Sequence, residues 1–188
     1  MSDLLLWAWN ENWVYNNVFY GEGKRPAISI ARSENRIFNN TFVGCPSAIG
    51  FGSKSKDNDV RNNIFVDCGR AFIDWPVETA PQKTLDYNIY FSTSGAPKWE
   101  YAGTRYSTFE EYQKAAGEPH SRYVDPGLAS PADAHLKAGS PAIDAGTVLK
   151  VGLGALEKEI TVDIEGTSRP QGRAPTIGAY EFNDERSK

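Results

Sequence analysis

The sequence predicts an all-β fold, a short right-handed parallel β-helix of about four coils with one short helix and an irregular C-terminal capping tail. Three features point to it. The first is a repeat of 23 residues: Asn12-Trp13-Val14-Tyr15-Asn16-Asn17-Val18-Phe19 returns as Asn35-Arg36-Ile37-Phe38-Asn39-Asn40-Thr41-Phe42, and again as Asn58-Asp59-Val60-Arg61-Asn62-Asn63-Ile64-Phe65. A fixed period of this kind marks units that stack to bury a shared core. A fourth copy, Leu85-Asp86-Tyr87-Asn88-Ile89-Tyr90, is displaced by two residues because the turn before it, 76–83, is longer.

The second feature is what the repeat places in columns. Val14, Ile37, Val60 and Leu85 make an apolar file, and Phe19, Phe42, Phe65 and Tyr90 an aromatic one. Between them Asn17, Asn40, Asn63 and Asn88 fall where the chain must bend. An amide there can bond both the turn backbone and the amide of the next coil, which satisfies polar groups inside a stack. The third feature is a third short strand per repeat, read at 4–9, 27–31, 48–52 and 71–75. Three strands per coil make a triangular cross-section, and no segment shows the 3.6-residue rhythm a helix would need.

The coils occupy 1–92, and 93–188 reads as a capping and wrapping segment of the same structural domain. Ser107-Thr108-Phe109-Glu110 is a capping-box pattern that opens a helix running to Ala116 and closed by Gly117. Beyond it Asp125-Pro126, Ser140-Pro141 and Arg169-Pro170 predict extended chain and turns. A stack end exposes unpaired strand edges and apolar side chains, so this segment is expected to cover the C-terminal end. The open first coil could pair with another chain.

Composition narrows the partners. There are 20 Lys and Arg against 24 Asp and Glu, a net charge of -4, and no dense basic cluster, which argues against nucleic acid. The apolar start at 4–8 is too short to span a bilayer and lacks the flanks of a signal peptide, so no membrane partner is expected. Two cysteines are too few for a disulfide scaffold. Cys45 and Cys68 lie one coil apart, and parallel neighbours rarely give good disulfide geometry, so they are expected to be free, packed thiols.

The runs Tyr87-Asn88-Ile89-Tyr90, Asp125-Pro126, Leu136-Lys137-Ala138-Gly139-Ser140-Pro141-Ala142-Ile143-Asp144-Ala145-Gly146, Asp163-Ile164-Glu165-Gly166, Arg169-Pro170 and Ile177-Gly178-Ala179-Tyr180-Glu181 together resemble the C-terminal end of bacterial parallel β-helix proteins of the pectate-lyase-like superfamily. That resemblance covers nearly the whole chain and is specific for architecture, not for a reaction. Its members include polysaccharide lyases, glycoside hydrolases, epimerases and non-catalytic adhesins, so it implies a polysaccharide or oligosaccharide partner and an extracellular or cell-surface location. It also implies more coils ahead of this signature than the four read here.

Chemistry needs groups that the coil spacing brings together. Retaining glycosidases hold their two carboxylates about 5–5.5 Å apart, and neighbouring coils lie about 4.8 Å apart. Glu11, Glu34 and Asp57 fall on one 23-residue column, with Glu34 and Asp57 as the acid and nucleophile pair. The same residues are also simply good turn formers. Stacked carboxylates repel, so the column of Glu11, Glu34 and Asp57 is also where calcium could be recruited, although no compact loop supplies its remaining ligands. No other cofactor is expected. Asp74 is a third catalytic candidate because it aligns with Ile28 and Phe51, an otherwise apolar column.

Of five tryptophans, Trp13 and Trp75 fall at outward or glycine-aligned positions and are the candidates for stacking on sugar rings, whereas Trp7 aligns with Ile30 and reads as core. Between Lys24 and Arg61 there are seven basic residues against three acids; Arg32, Arg36, Lys54 and Arg61 could hold a uronate-containing glycan. His120 and His135 lie outside the coils and carry no predicted role. The leading expectation is a glycoside hydrolase. The alternatives are a lyase or epimerase acting on acidic glycans, and a non-catalytic glycan-binding module.

Overall fold

The computed structural model describes residues 4–6, 10–21, 24–69, 71–74, 82, 84–95 and 97–184. The first coil contributes β1 (Leu4–Leu6), β2 (Trp13–Tyr15) and β3 (Val18–Tyr20); the second β4 (Ile28–Ile30), β5 (Arg36–Phe38) and β6 (Thr41–Val43). The third contributes β7 (Ser47–Phe51), β8 (Asp59–Arg61) and β9 (Ile64–Val66), and the fourth β10 (Ala71–Asp74), β11 (Thr84–Asp86) and β12 (Ile89–Phe91). They assemble into three parallel sheets, β1-β4-β7-β10, β2-β5-β8-β11 and β3-β6-β9-β12, which form the faces of the predicted β-helix.

In the second and third sheets the register follows the repeat: Val14 pairs with Ile37, Ile37 with Val60 and Val60 with Leu85. Phe19, Phe42, Phe65 and Tyr90 stack with centroids 4.8, 5.1 and 5.0 Å apart and planes within 12°. Those separations exceed ring-to-ring contact, so the rings are offset, the arrangement that avoids facing like quadrupoles. Asn63 Oδ1 accepts from the backbone N–H and Nδ2 of Asn40 at 3.0 and 3.1 Å, while Asn63 Nδ2 reaches the carbonyl of Ile37 at 2.8 Å. The same pattern joins Asn17 to Asn40 and Asn63 to Asn88.

The first sheet departs from the even repeat. Leu4 pairs with Ile28, Ile28 with Ile49 and Ile49 with Ile73, because the turns that enter this sheet differ in length from coil to coil. Asp74 therefore pairs with Gly50, and Gly50 with Ser29, rather than with Phe51 and Ile28. That is the file alternating with the buried Ile28, Ile30, Ile49 and Phe51, so a carboxylate there interrupts no apolar column. Leu6, not Trp7, is the residue that pairs with Ile30.

The stack is closed by the hairpin β13 (Trp99–Tyr101) and β14 (Thr104–Tyr106) and by α1 (Phe109–Ala116). The cap of α1 sits one residue later than the sequence pattern suggests: Thr108 Oγ1 accepts from the N–H of Glu111, and Glu111 returns its carboxylate to the N–H of Ser107. Gly117, at φ 73°, ends the helix. Phe109 and Tyr112, one helical turn apart, bury themselves with Trp99 against Tyr90, the last ring of the stack. The strand β15 (Arg122–Tyr123) then pairs in parallel with β12 and adds a fifth strand to the third sheet.

Beneath the cap the amide file needs a terminus. Asn88 donates its backbone N–H to Ser121 Oγ at 2.9 Å and its Nδ2 to Glu118, which has no exposed surface and also accepts from Tyr90 Oη, Tyr112 Oη and Ser121 Oγ. Burial raises the carboxyl of Glu118 above its ordinary range, and raises the phenols of Tyr90 and Tyr112 further still, with the Glu118 charge adding to both.

The rest of the chain runs along the outside of the coils rather than over their end. It contains the hairpin of β16 (Leu128–Ser130) and β17 (Asp133–Leu136) and that of β18 (Lys150–Val151) and β19 (Lys158–Glu159). Leu136, Ala142 and Ile177 pack on Ile64, Val66 and Ile89 of the third sheet, and Leu149 and Ile160 on Phe38 of the second. Gly178 approaches so closely that a Cβ would meet Ile64 Cδ1 at 2.7 Å, and its φ of +103° suits no other residue. Arg169 and Glu181 form a buried pair at 3.2 Å, with Arg169 also donating to the carbonyls of Thr176 and Gly178.

Two outcomes test this account. Asn63→Ala leaves the N–H of Asn40 facing a void, and urea unfolding should show a loss of at least about 2 kcal/mol; a loss in the range of surface substitutions would show that the ladder is not structural. Phenols raised in the folded state contribute stability that is present below their unfolded pKa of about 10 and is lost as pH rises above it. Thermal melts should fall steeply above that pH, and Tyr112→Phe should blunt the fall.

Candidate functional site

The turn between the first and second sheets repeats three times with a left-handed residue at its centre: Glu11 at φ 60°, Glu34 at φ 63° and Asp57 at φ 56°. Directly behind this file lies a second amide ladder. Asn12 Nδ2 donates to Asn35 Oδ1 at 2.7 Å, Asn35 Nδ2 to Asn58 Oδ1 at 2.8 Å and Asn58 Nδ2 to Gln82 Oε1 at 2.8 Å. The backbone is tied as well, with the N–H of Glu11 on the carbonyl of Ser33 and that of Glu34 on the carbonyl of Lys56. Buried amides thus hold the turn, and the carboxylates in front of them are exposed.

These three carboxylates line one groove with Arg36 and Asp59, about 450 Å3 in volume. The predicted column is therefore assembled. Among the described residues, no group of three carboxylate, imidazole or thiol side chains could hold a metal ion, so Glu11, Glu34 and Asp57 stand as separate acceptors rather than as one calcium cage. Left-handed backbone costs an ordinary L-residue about 1–2 kcal/mol, less for Asn and Asp, whose short side chains bond locally. The same conformation recurs at other corners of the coils, at Asn16, Asn39, Asn62, Asp67 and Tyr87, and glutamate is among the residues that gain least from it.

The remaining candidates divide. Trp13, Arg36 and Asp59 are register partners on the outer face of the second sheet, and the guanidinium of Arg36 lies 5.9 Å from the ring centre of Trp13. Trp13 is half-buried, with its indole N–H lacking an acceptor. Arg36 also donates to the carbonyl of Gly152 and approaches Glu157, and Arg61 is held in a two-pronged bond by Asp59 at 2.6 Å. Arg36 and Arg61 are engaged by acidic neighbours, Arg32 and Lys54 stand exposed on the turns that carry Glu34 and Asp57, and Lys56 lies 3.9 Å from Asp57. For Asp74 the register alone is described, and Trp7, Trp9 and Trp75 lie outside the described residues.

Cys45 and Cys68 are free and buried, their S–H groups within reach of the carbonyls of Val43 and Val66. Sequence reasoning passed over His135. It faces a second cavity, of about 510 Å3, beside Asp133, Glu165 and Tyr180. The only sequence signal was Asp133-Ala134-His135, two polar residues on one face of a strand, which also reads as turn chemistry.

Compared with known proteins, residues 2–107 match the family described as Periplasmic copper-binding protein (NosD). No curated protein and no solved structure matches the chain.

If the glutamates are held for their carboxylates and not for the turn, Glu34→Gly should melt at the same temperature or a few degrees higher, relieving about 1 kcal/mol of backbone strain. A clear drop in melting temperature would show instead that Glu34 serves the fold.

Proposed function

The chain belongs to the NosD family, and on that premise we propose that it acts in the periplasm as a non-catalytic module that binds a non-acidic polysaccharide along the groove of Glu11, Glu34 and Asp57. The family description supports the compartment. The strained, exposed carboxylate file supports the ligand: evenly spaced acceptors on a rigid turn suit a chain of hydroxyl-bearing units. The half-buried Trp13 beside it adds an apolar surface for sugar C–H groups. The groove lining itself holds four acids to one base, Arg36, which favours uncharged sugars over uronates.

The copper of the family description would need soft or imidazole donors that converge. Copper favours thiolate, thioether and imidazole donors. Cys45 and Cys68 are sealed in the core, and His120 and His135 sit on different carboxylates, Asp86 and Asp133. The described residues do not combine these donors into a copper centre, and nothing in this reading passes through one.

Binding is favoured over hydrolysis by the exposure of Glu34 and Asp57. A glycosidase needs one carboxyl kept protonated by its surroundings, and no apolar wall encloses either residue. Affinity electrophoresis through xylan, mixed-linkage β-glucan, pectate and alginate tests the reading. Retardation is expected in the two uncharged gels only, with neither reducing ends nor unsaturated products released, and Glu34→Gly/Asp57→Gly should weaken it at least tenfold. Absence of retardation in every gel, or retardation indifferent to the double substitution, would sink the proposal. Release of reducing ends abolished by Glu34→Gln would replace binding with hydrolysis.

A further inference from the structure

Residues 2–107, which carry the likeness to a family described as copper-binding, contain no histidine and no methionine. The chain's two histidines, His120 and His135, both follow that segment, and its two cysteines, Cys45 and Cys68, both lie within it. Copper is drawn to thiolate, thioether and imidazole. Within the matched coils that donor set shrinks to one pair of thiols, so whether the coils can take copper depends on where the fold puts that pair.

Cys45 and Cys68 stand one coil apart at the corner that follows β6 and β9, where the N–H of Gly69 bonds the carbonyl of Cys45 at 2.8 Å. Both belong to the core that holds Phe42, Phe65 and Ala48. Cys45 is 0% exposed and Cys68 5%. Each S–H lies within reach of a carbonyl oxygen, that of Val43 or Val66, an acceptor that suits the thiol and repels a thiolate. Burial pushes the Cys68 thiol well above its ordinary range. A copper ligand has to be the thiolate. A metal ion here would therefore have to displace a proton from a sealed thiol and carry its own charge into an apolar interior.

The histidines offer no substitute. His120 lies beside the cap, its ring stacked on Tyr87 with centroids 4.4 Å apart and its Nδ1 2.7 Å from Asp86 Oδ2. His135, on β17, has a carboxylate at each ring nitrogen, Asp133 Oδ1 at 2.6 Å and Glu165 Oε1 at 3.5 Å. Among the described residues no three carboxylate, imidazole or thiol groups converge as a metal site. Met1, the one thioether of the chain, lies outside the described residues.

We infer that this chain is a member of its family that holds no resident copper, because the stack that carries the likeness seals the only thiols it contains. The likeness is then one of architecture, the ladder-bearing coil, and not of metal chemistry. Neither residue nor ligand is shared with the polysaccharide groove, so each reading can fail alone.

Copper(I) offered to the reduced, folded chain as its ferrozine complex, and copper(II) offered in dialysis followed by elemental analysis, test this. Less than about 0.1 copper per chain is expected in either state, and the melting temperature should not move, since an ion bound only by the folded chain would raise it. In urea, which exposes both thiols, the same chain should draw copper(I) from ferrozine, and Cys45→Ser/Cys68→Ser should abolish that uptake. Stoichiometric copper on the folded chain in either oxidation state overturns the inference, and its loss in Cys45→Ser/Cys68→Ser or in His120→Gln would name the donors. An unfolded chain as inert as the folded one overturns it too, because burial would then not be what keeps the metal out.

Discussion

A buried primary amide with no partner is among the most expensive groups a protein interior can hold, and this chain buries eight asparagines of its repeats in two vertical files and one flanking corner. In the two files each is tolerable because a neighbouring coil supplies an acceptor at the same height. The ladder therefore does more than hold coils together. It forbids slippage, since moving one strand by one residue would leave several donors unpaired in a low-dielectric interior. Once Asn12, Asn35 and Asn58 must align, Glu11, Glu34 and Asp57 align with them, whatever the carboxylates themselves prefer. The groove follows from the amides.

The same constraint dictates how the stack can end. A ladder that runs upward through Asn17, Asn40, Asn63 and Asn88 arrives at the fourth coil with groups still to satisfy, and Glu118 and Ser121 receive them. A carboxylate is well chosen because it accepts from many donors, here the two phenols of Tyr90 and Tyr112 as well. The aromatic file ends at the same place on Trp99, Phe109 and Tyr112, so polar and apolar files share one cap. On the flanks the corner residues Asn16 and Asn62 donate to the carbonyls of Val162 and Thr147, tying the outer segment to the same corner.

Whatever depends on repetition was legible in the sequence, and whatever breaks it was not. The files of Val14, Phe19 and Asn17 could be read directly because equal spacing places equal residues at equal heights. The first sheet could not, because its turns vary, and Asp74 was assigned to a column one position from its true file by assuming an even step. That the C-terminal segment wraps the coils was expected, but the route it takes was hidden for another reason. It is decided by the close approach of Gly178 to Ile64 and by the buried pair of Arg169 and Glu181, contacts more than a hundred residues and twelve residues apart that leave no period behind. The carboxylate column was visible, but the left-handed backbone beneath it was not, because a φ sign leaves no mark on residue spacing.

Repetition also bears on what the groove can do. Catalysis by paired carboxyls needs two unlike groups, one kept protonated and one ionised, and unlike behaviour comes from unlike surroundings. The repeat gives Glu11, Glu34 and Asp57 the same left-handed backbone, an asparagine behind each and open solvent in front, with Lys56 near Asp57 as the one charged difference. Such a file is poorly suited to divide acid from nucleophile and well suited to meet another repeat, which a polysaccharide is. Asymmetric chemistry has to come from where the repeat has stopped. In this chain that is the C-terminal segment, where Asp133, Glu165 and Tyr180 surround one imidazole with three different neighbours.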